Sequence, residues 1–160
     1  MKACRKQMKL FIKSILFLFI ITNISAADLI KPKPTLKPLD VLLIQLNSLK
    51  NNNTPYTDAG IEQTWEFAHP NNKAITGPLN KFKQMIYSKS YEILISHENS
   101  EITILKETEN MSTYKVLILS KNKKKYYYIW QVEKVLFEGA LKNCWMTTSV
   151  SPPNYLGEVI

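Results

Sequence analysis

The chain has 160 residues, 21 of them basic and 13 acidic, and a formal net charge of +8. This length suits a single domain. Arg5 is the only arginine, so the bidentate guanidinium contacts that proteins make to guanine edges and phosphates are not available to the rest of the chain. We therefore expect no nucleic-acid partner.

The first 27 residues have the features of a secretory signal peptide. A basic head precedes the short apolar run LFIKSILFLFIITNI, and SAAD then places Ser25 and Ala27 for a cut before Asp28. The unbroken apolar part is shorter than the ~20 residues of a membrane-spanning helix. We predict that residues 1–27 are a signal peptide, that the protein is exported (periplasmic or secreted), and that no stable membrane span remains after cleavage. An uncleaved N-terminal membrane anchor is the alternative.

Removal of this leader would change the charge and the cysteine content. Five of the 21 basic residues lie in it, so the remainder has 16 basic and 13 acidic residues, a net charge of +3. Cys144 would then be a lone cysteine, which excludes an intramolecular disulfide. His69, His97 and Cys144 show no paired ligand spacing, so we predict no metal site and no cofactor.

An extended linker and three helices are predicted next. Residues 28–37 contain repeated Lys-Pro pairs and favour an extended linker. The first helix follows from Pro38, and the second, AGIEQTWEFA, has Thr57 or Asp58 as its N-cap. We expect Pro70 to stop the second helix and PNNKAI to form a loop before a third helix, TGPLNKFKQMI.

The hydrophobic period becomes alternating after Tyr91, which is typical of strands. Five segments show it: YEILISH, EITILKE, STYKVLILS, KYYYIWQVEKVLF and KNCWMTTSV. No helical segment separates them, so the sheet should be antiparallel. We predict an α+β fold in which N-terminal helices pack against a curved antiparallel sheet of four to five strands, in the shape of a cone. One domain would span residues 38–150, followed by a C-terminal tail, 151–160.

Three polar residues are candidates for chemistry. His69 precedes Pro70 at a helix end, where an imidazole could shuttle a proton. Asp58 and Glu62 are candidate partners for it, since a carboxylate close to an imidazole can assist acid–base work. Each residue also has a structural interpretation: His69 can bond the last carbonyls of a helix, Asp58 can cap a helix, and Glu62 can lie on a solvated face.

The aromatic residues are candidates for a ligand pocket. A cone of this kind leaves space between sheet and helices, and inward-facing aromatics would line it. The candidate pocket residues are Trp65, Tyr114, Tyr128, Trp130 and Trp145. Alternatively they form the hydrophobic core, which is the commoner use of aromatic side chains.

The stretch DAGIEQTWEFAHPNNKAITGPLNKF and the later NCWMTTSV resemble the motifs of the family of bacterial domains of unknown function numbered 4864. The resemblance covers most of residues 36–150 and implies a cone like those of nuclear transport factor 2 and the cystatins. That superfamily includes isomerases, cyclases, dehydratases and binding or dimerisation modules, so it does not select one activity. This chain has His69 where the pattern has Ser, Lys81 where it has Arg, and Thr148 where it often has Asp.

These observations favour an exported, non-catalytic module that binds a small apolar or amphipathic ligand or a partner protein. One alternative is an isomerase- or hydrolase-like enzyme in which His69 shuttles a proton beside Asp58 or Glu62. The other is a structural module that forms a homodimer through its sheet.

Overall fold

The computed structural model describes residues 28–159, and the predicted signal peptide lies outside that range. Within this range, four helices precede a short 3-10 helix, Glu92–Leu94. The helices are α1 (Pro38–Lys50), α2 (Ala59–Glu66), α3 (Pro70–Thr76) and α4 (Leu79–Ile86). Among the described residues, no helix is long and apolar enough to cross a membrane.

Five strands then form one open antiparallel sheet. They are β1 (Asn99–Glu107), β2 (Met111–Leu119), β3 (Lys124–Lys134), β4 (Trp145–Val150) and β5 (Asn154–Glu158). The strand order is β1-β2-β3-β4, and β5 pairs with the part of β3 that β4 leaves free. The predicted α+β class and the antiparallel sheet of four to five strands are confirmed.

Buried and partly exposed side chains alternate along the two central strands, and the buried ones form the core, as the sequence predicts. On β2, the side chains of Tyr114 and Val116 are buried, and their neighbours along the strand are partly exposed. On β3, Tyr128 and Trp130 are buried and pair in register with Val116 and Tyr114 respectively. The inner face of the sheet packs against α1, whose Leu42 and other apolar side chains form the opposite wall of the core.

Helix α2 approaches α1 closely because a glycine lies at the contact. A Cβ on Gly60 would lie 2.0 Å from the carbonyl oxygen of Ser48. The first turn of α2 is capped from outside the helix, since the amide N–H of Ile61 donates to Asn52 Oδ1 at 3.0 Å. Asp58 occupies the N-cap position, one of the two predicted, but the expected capping by its side chain is wrong, because its carboxylate accepts from no amide of the helix.

The expected loop at PNNKAI is wrong, because these residues belong to α3. Pro70 is the first residue of the helix, a position where its missing N–H costs nothing and its fixed φ favours the helix. The Nδ1 atom of His69 accepts the amide N–H of Asn71 at 3.1 Å and caps the first turn. Gly77, at φ 79°, ends α3.

Two predicted elements at the borders of the sheet are also corrected. Residues 91–97 do not form a strand: local turns bond the amides of Tyr91, Leu94 and Ile95, the amide of Ser96 donates to the carbonyl of Leu49 in α1, and Ser96 has φ 56°. Leu94 is buried in the core. Within 151–160, predicted as a tail, β5 pairs with β3 in the register Tyr126↔Tyr155. Pro152 and Pro153 interrupt the edge between β4 and β5, which hid this last strand in the sequence pattern.

The predicted linker at residues 28–37 is attached to α2 rather than free, and we call residues 28–36 the N-terminal strap. The side-chain amide of Gln63 bonds the backbone of Ile30 twice, accepting its N–H at 2.7 Å and donating to its carbonyl at 2.8 Å. Lys31 also forms an ion pair with Glu66, at 3.0 Å. The folded unit therefore includes the strap at one end and β5 at the other.

Candidate functional site

A half-open cavity of ≈ 220 Å³ lies between helices α1, α2, α3 and α4 and strand β4. Its inner walls are mostly apolar and fully buried, since large side chains from the helices and the sheet meet there. These wall residues are Leu49, Phe82, Ile86, Leu94 and Trp130. The volume exceeds the ~150 Å³ of an apolar cavity that holds benzene, so the space is large enough for a small organic molecule.

A chain of buried hydrogen bonds forms the floor of this cavity. Trp130 Nε1 donates to Thr147 Oγ1 at 3.0 Å, and that hydroxyl donates to Gln45 Oε1 at 2.5 Å. Gln45 Nε2 in turn donates to the backbone carbonyl of Thr64 at 3.0 Å, near the C-terminal end of α2 where helix carbonyls lack partners. Because each group has a partner, the network joins α1, α2, β3 and β4 without leaving a buried polar atom of the floor unsatisfied.

Helix α3 and the end of β4 form the mouth. Ile75 contacts the cavity although 85% of its surface is exposed, and Ser149 is exposed beside it. Asn72 Nδ2 donates to the carbonyl of Thr147 at 3.2 Å, and Thr76 Oγ1 donates to the carbonyl of Asn72 at 2.9 Å. No residue of α3 is buried in the described structure, and Asn72, Ile75 and Thr76 are the residues through which this helix lines the cavity.

The lining contains almost no group that titrates near neutral pH. Among the described residues that line it, there is no Asp, Glu, Lys, His or Cys. Tyr91 is its one phenol; its hydroxyl donates to the carbonyl of Val150 at 3.0 Å, and burial raises its pKa. The cavity therefore offers hydroxyls, an amide and apolar surface, but no general base or nucleophile activated by a neighbouring base.

The five aromatic residues predicted to line a pocket have different positions. Trp130 lies on the cavity wall, whereas Tyr114 and Tyr128 are fully buried in the core. Trp65 packs on the ring of Phe82, with ring centres 4.9 Å apart, and the ammonium of Lys73 also lies over the Trp65 ring. Trp145 lies under the ammonium of Lys134, at 5.1 Å. Only Trp130 of this set contacts the described cavity.

His69 is buried and serves α3, and it is not part of the cavity lining. Its backbone N–H donates to the carbonyl of Thr147 at 2.8 Å, its Nδ1 caps the helix, and its ring meets Phe137 edge-on. Burial lowers the pKa of His69, with a small opposing effect from Glu133. The neutral ring is therefore the form that this environment and the Nδ1 cap both favour.

Asp58 and Glu62 lie together, in an ionic cluster that joins α2 to α4. Lys83 Nζ lies 2.9 Å from Glu62 and 3.4 Å from Asp58, while Tyr56 and Tyr87 donate their hydroxyls to Glu62 and Asp58 respectively. The hydrogen bond from Tyr87 lowers the pKa of Asp58, and the one from Lys83 lowers the pKa of Glu62. The structure brings these two candidates together but places neither on the cavity nor beside the Nδ1 atom of His69.

The remaining histidine and cysteine are also buried. His97 Nδ1 lies 2.8 Å from the carbonyl oxygen of Leu94, and burial lowers the pKa of this ring. Cys144 packs with Val135 and Met146, and burial raises the pKa of its thiol. In the part of the chain that the structure describes, no three His, Cys, Asp or Glu residues are grouped as metal ligands.

Sequence reasoning missed most residues of the cavity. Gln45 is the one that a pattern could have shown, because a polar amide occurs on the buried face of α1 among Val41, Leu42, Leu46 and Leu49. Such a residue needs a buried partner. Its partner, Thr147, is 102 positions away in the sequence, so the pairing follows only from the fold.

Comparison with protein families, curated proteins and solved structures found no match to this chain.

Proposed function

We propose that this protein is a non-catalytic module that binds a small apolar or amphipathic ligand in the cavity between helices α1–α4 and strand β4. The observation that carries the proposal is the combination of an apolar wall, a saturated polar floor and a lining without acid–base groups. Cavities that are mostly apolar with a few placed polar groups are the usual form of small-molecule sites.

The enzymatic alternative has less support from the arrangement of its candidates. An isomerase or hydrolase using His69 would need the ring to reach a bound substrate, and its Nδ1 is engaged in capping α3. Asp58 and Glu62 are held by Lys83 and by tyrosine hydroxyls, in the ionic cluster that joins α2 to α4. We therefore propose structural roles for these three residues.

The wider setting of the module is also a proposal. The order of helices followed by an antiparallel sheet supports kinship with cones of the nuclear-transport-factor-2 type. The basic and apolar leader, residues 1–27, supports export. N-terminal sequencing of protein recovered outside the cytoplasm should then begin at Asp28, and recovery of the intact leader on a membrane would contradict cleavage.

A second candidate role, homodimerisation through the sheet, has one specific observation in its favour. Strand β1 is an edge strand, and its Ile104 and Leu105 are 53% and 52% exposed. Exposed apolar residues on an open strand favour pairing with another strand. Light scattering after size exclusion, for the native chain and for Leu105→Lys, would detect a dimer that the lysine abolishes; a monomer at every concentration would contradict this role.

A crystal soak tests the ligand-binding proposal. Crystals exposed to 4-bromobenzyl alcohol should show an anomalous bromine peak in the cavity, since this neutral probe combines an apolar ring with a hydroxyl. The variant Ser149→Trp places bulk at the mouth and should abolish the peak, whereas the matched control Thr103→Trp, exposed on β1, should retain it. A cavity that is empty of probe in the native crystals would contradict the proposal.

A further inference from the structure

We infer that the cavity selects an uncharged ligand, which places its apolar body against the floor and a neutral hydrogen-bonding group at the mouth. This inference rests on the proposed function and adds the chemical class and the orientation of the ligand. The inference depends on which polar groups of the cavity already have hydrogen-bond partners in the protein and which do not.

The floor has little capacity left for a polar group of the ligand. The indole N–H of Trp130 and the hydroxyls of Thr147 and Thr64 are all donated within the protein, and Gln45 uses both ends of its amide. All four residues are buried. A ligand hydroxyl or carbonyl placed here would compete with bonds already made, and an unpaired buried polar group is costly. The inner end of the ligand should therefore be apolar.

The lining provides no compensation for a charge. None of its described side chains is a carboxylate, ammonium or imidazole, so a charged ligand would lose hydration without gaining an ion pair. Isolated buried ions are disfavoured strongly enough that proteins pair them or neutralise them. The bound species should therefore be neutral.

The mouth differs from the floor. Asn72 Oδ1 and Ser149 Oγ receive no hydrogen bond from the described residues, and both residues line the opening. Ile75 lies there with its side chain almost fully exposed, which is unusual for an isoleucine that contacts a cavity. A ligand whose polar group emerges at this point would bond Asn72 or Ser149 and cover Ile75 at the same time.

Three probes with the same bicyclic ring separate these statements: 2-naphthol is neutral and polar, naphthalene is neutral and apolar, and 2-naphthoate is anionic. Dissociation constants from calorimetry or NMR titration at pH 7 should rank 2-naphthol first, with 2-naphthoate at least about tenfold weaker, which corresponds to about 1.4 kcal/mol. Equal binding of 2-naphthoate and 2-naphthol would overturn the selection of neutral ligands while leaving ligand binding intact. Absence of binding by all three probes would overturn the proposed function itself.

Variants at the mouth test the orientation. Ile75→Ser should weaken 2-naphthol about tenfold without lowering the melting temperature, because the side chain is already exposed. The matched control Ile104→Ser changes the same residue type on the exposed strand β1 and should leave the affinity unchanged. Ser149→Ala should reduce the preference for 2-naphthol over naphthalene. If Ile75→Ser binds like the native protein, or if the double variant Asn72→Ala with Ser149→Ala leaves the preference intact, the assigned orientation is wrong.

Discussion

Replacement of Thr147 by valine tests the hydrogen-bond network on the cavity floor. Valine keeps the shape of threonine but removes the hydroxyl that accepts from Trp130 Nε1 at 3.0 Å and donates to Gln45 Oε1 at 2.5 Å. Two buried groups would then lack a partner, each at a cost of about 1–3 kcal/mol. We expect Thr147→Val to lower the free energy of unfolding by about 3–4 kcal/mol, a large part of the ~5–15 kcal/mol that stabilises a small domain.

Urea unfolding followed by far-UV circular dichroism measures this loss. The matched control is Thr147→Ser, which keeps the hydroxyl and removes one methyl group, at a cost of about 1 kcal/mol. The double variant Trp130→Phe with Thr147→Val should cost less than the sum of the two single changes, because the indole N–H is no longer left unpaired. If Thr147→Val is as stable as Thr147→Ser, the network does not stabilise the fold in the way described.

Three further predictions concern residues outside that network. Gly60→Ala should destabilise the protein by about 3 kcal/mol or more in the same urea assay, because its Cβ would lie 2.0 Å from the Ser48 carbonyl oxygen. The free energy of unfolding should fall as the pH drops below about 6.5, the ordinary pKa of histidine. Burial lowers the pKa of His69 and His97 in the folded state, so the unfolded chain binds protons more readily than the folded one in this range. Cys144 should resist iodoacetamide in the native protein and react once the protein is unfolded in urea, as peptide mass spectrometry would show, because it is buried and its thiol pKa is raised.

An asparagine at position 69 tests whether His69 itself contributes to the pH dependence of stability. His69→Asn keeps a side-chain oxygen that can cap α3 but removes the titrating ring, so its melting temperature should fall less between pH 7.5 and pH 5 than that of the native protein. An identical pH dependence in the two proteins would show that His69 contributes nothing to it. A Gly60→Ala variant as stable as the native protein would contradict the close packing at Gly60. Rapid alkylation of Cys144 in the native protein would contradict its burial.

The sequence predicted the fold class because its strongest patterns are local. Alternation on β2 and β3 identified the inward faces that carry Tyr114 and Trp130, and the absence of helices between strands gave an antiparallel sheet. Prolines cause two of the errors. Pro70, expected to stop α2 and to precede a loop, begins α3, and the pair Pro152–Pro153 conceals β5. A proline has both meanings, and only the neighbouring contacts decide between them.

The candidate site was harder to predict than the fold. Of the five aromatic candidates, only Trp130 reaches the cavity, since the inward face of a sheet supplies both core and pocket residues and the sequence period does not distinguish them. The polar floor joins Gln45 to Thr147 across most of the chain. No pattern among neighbouring residues indicates such a pairing, because only the folded chain brings the two side chains together.

The N-terminal strap has a consequence for proteolysis. Each lysine of its sequence, Lys31 and Lys33, is followed by proline, as is Lys37 where α1 begins, so trypsin-like proteases have no favourable bond to cut between Asp28 and α1. The backbone amide and carbonyl of Ile30, which a protease would need to bind, are occupied by Gln63. The strap should therefore survive digestion that removes exposed tails, and the shortest resistant fragment of this protein should still contain it.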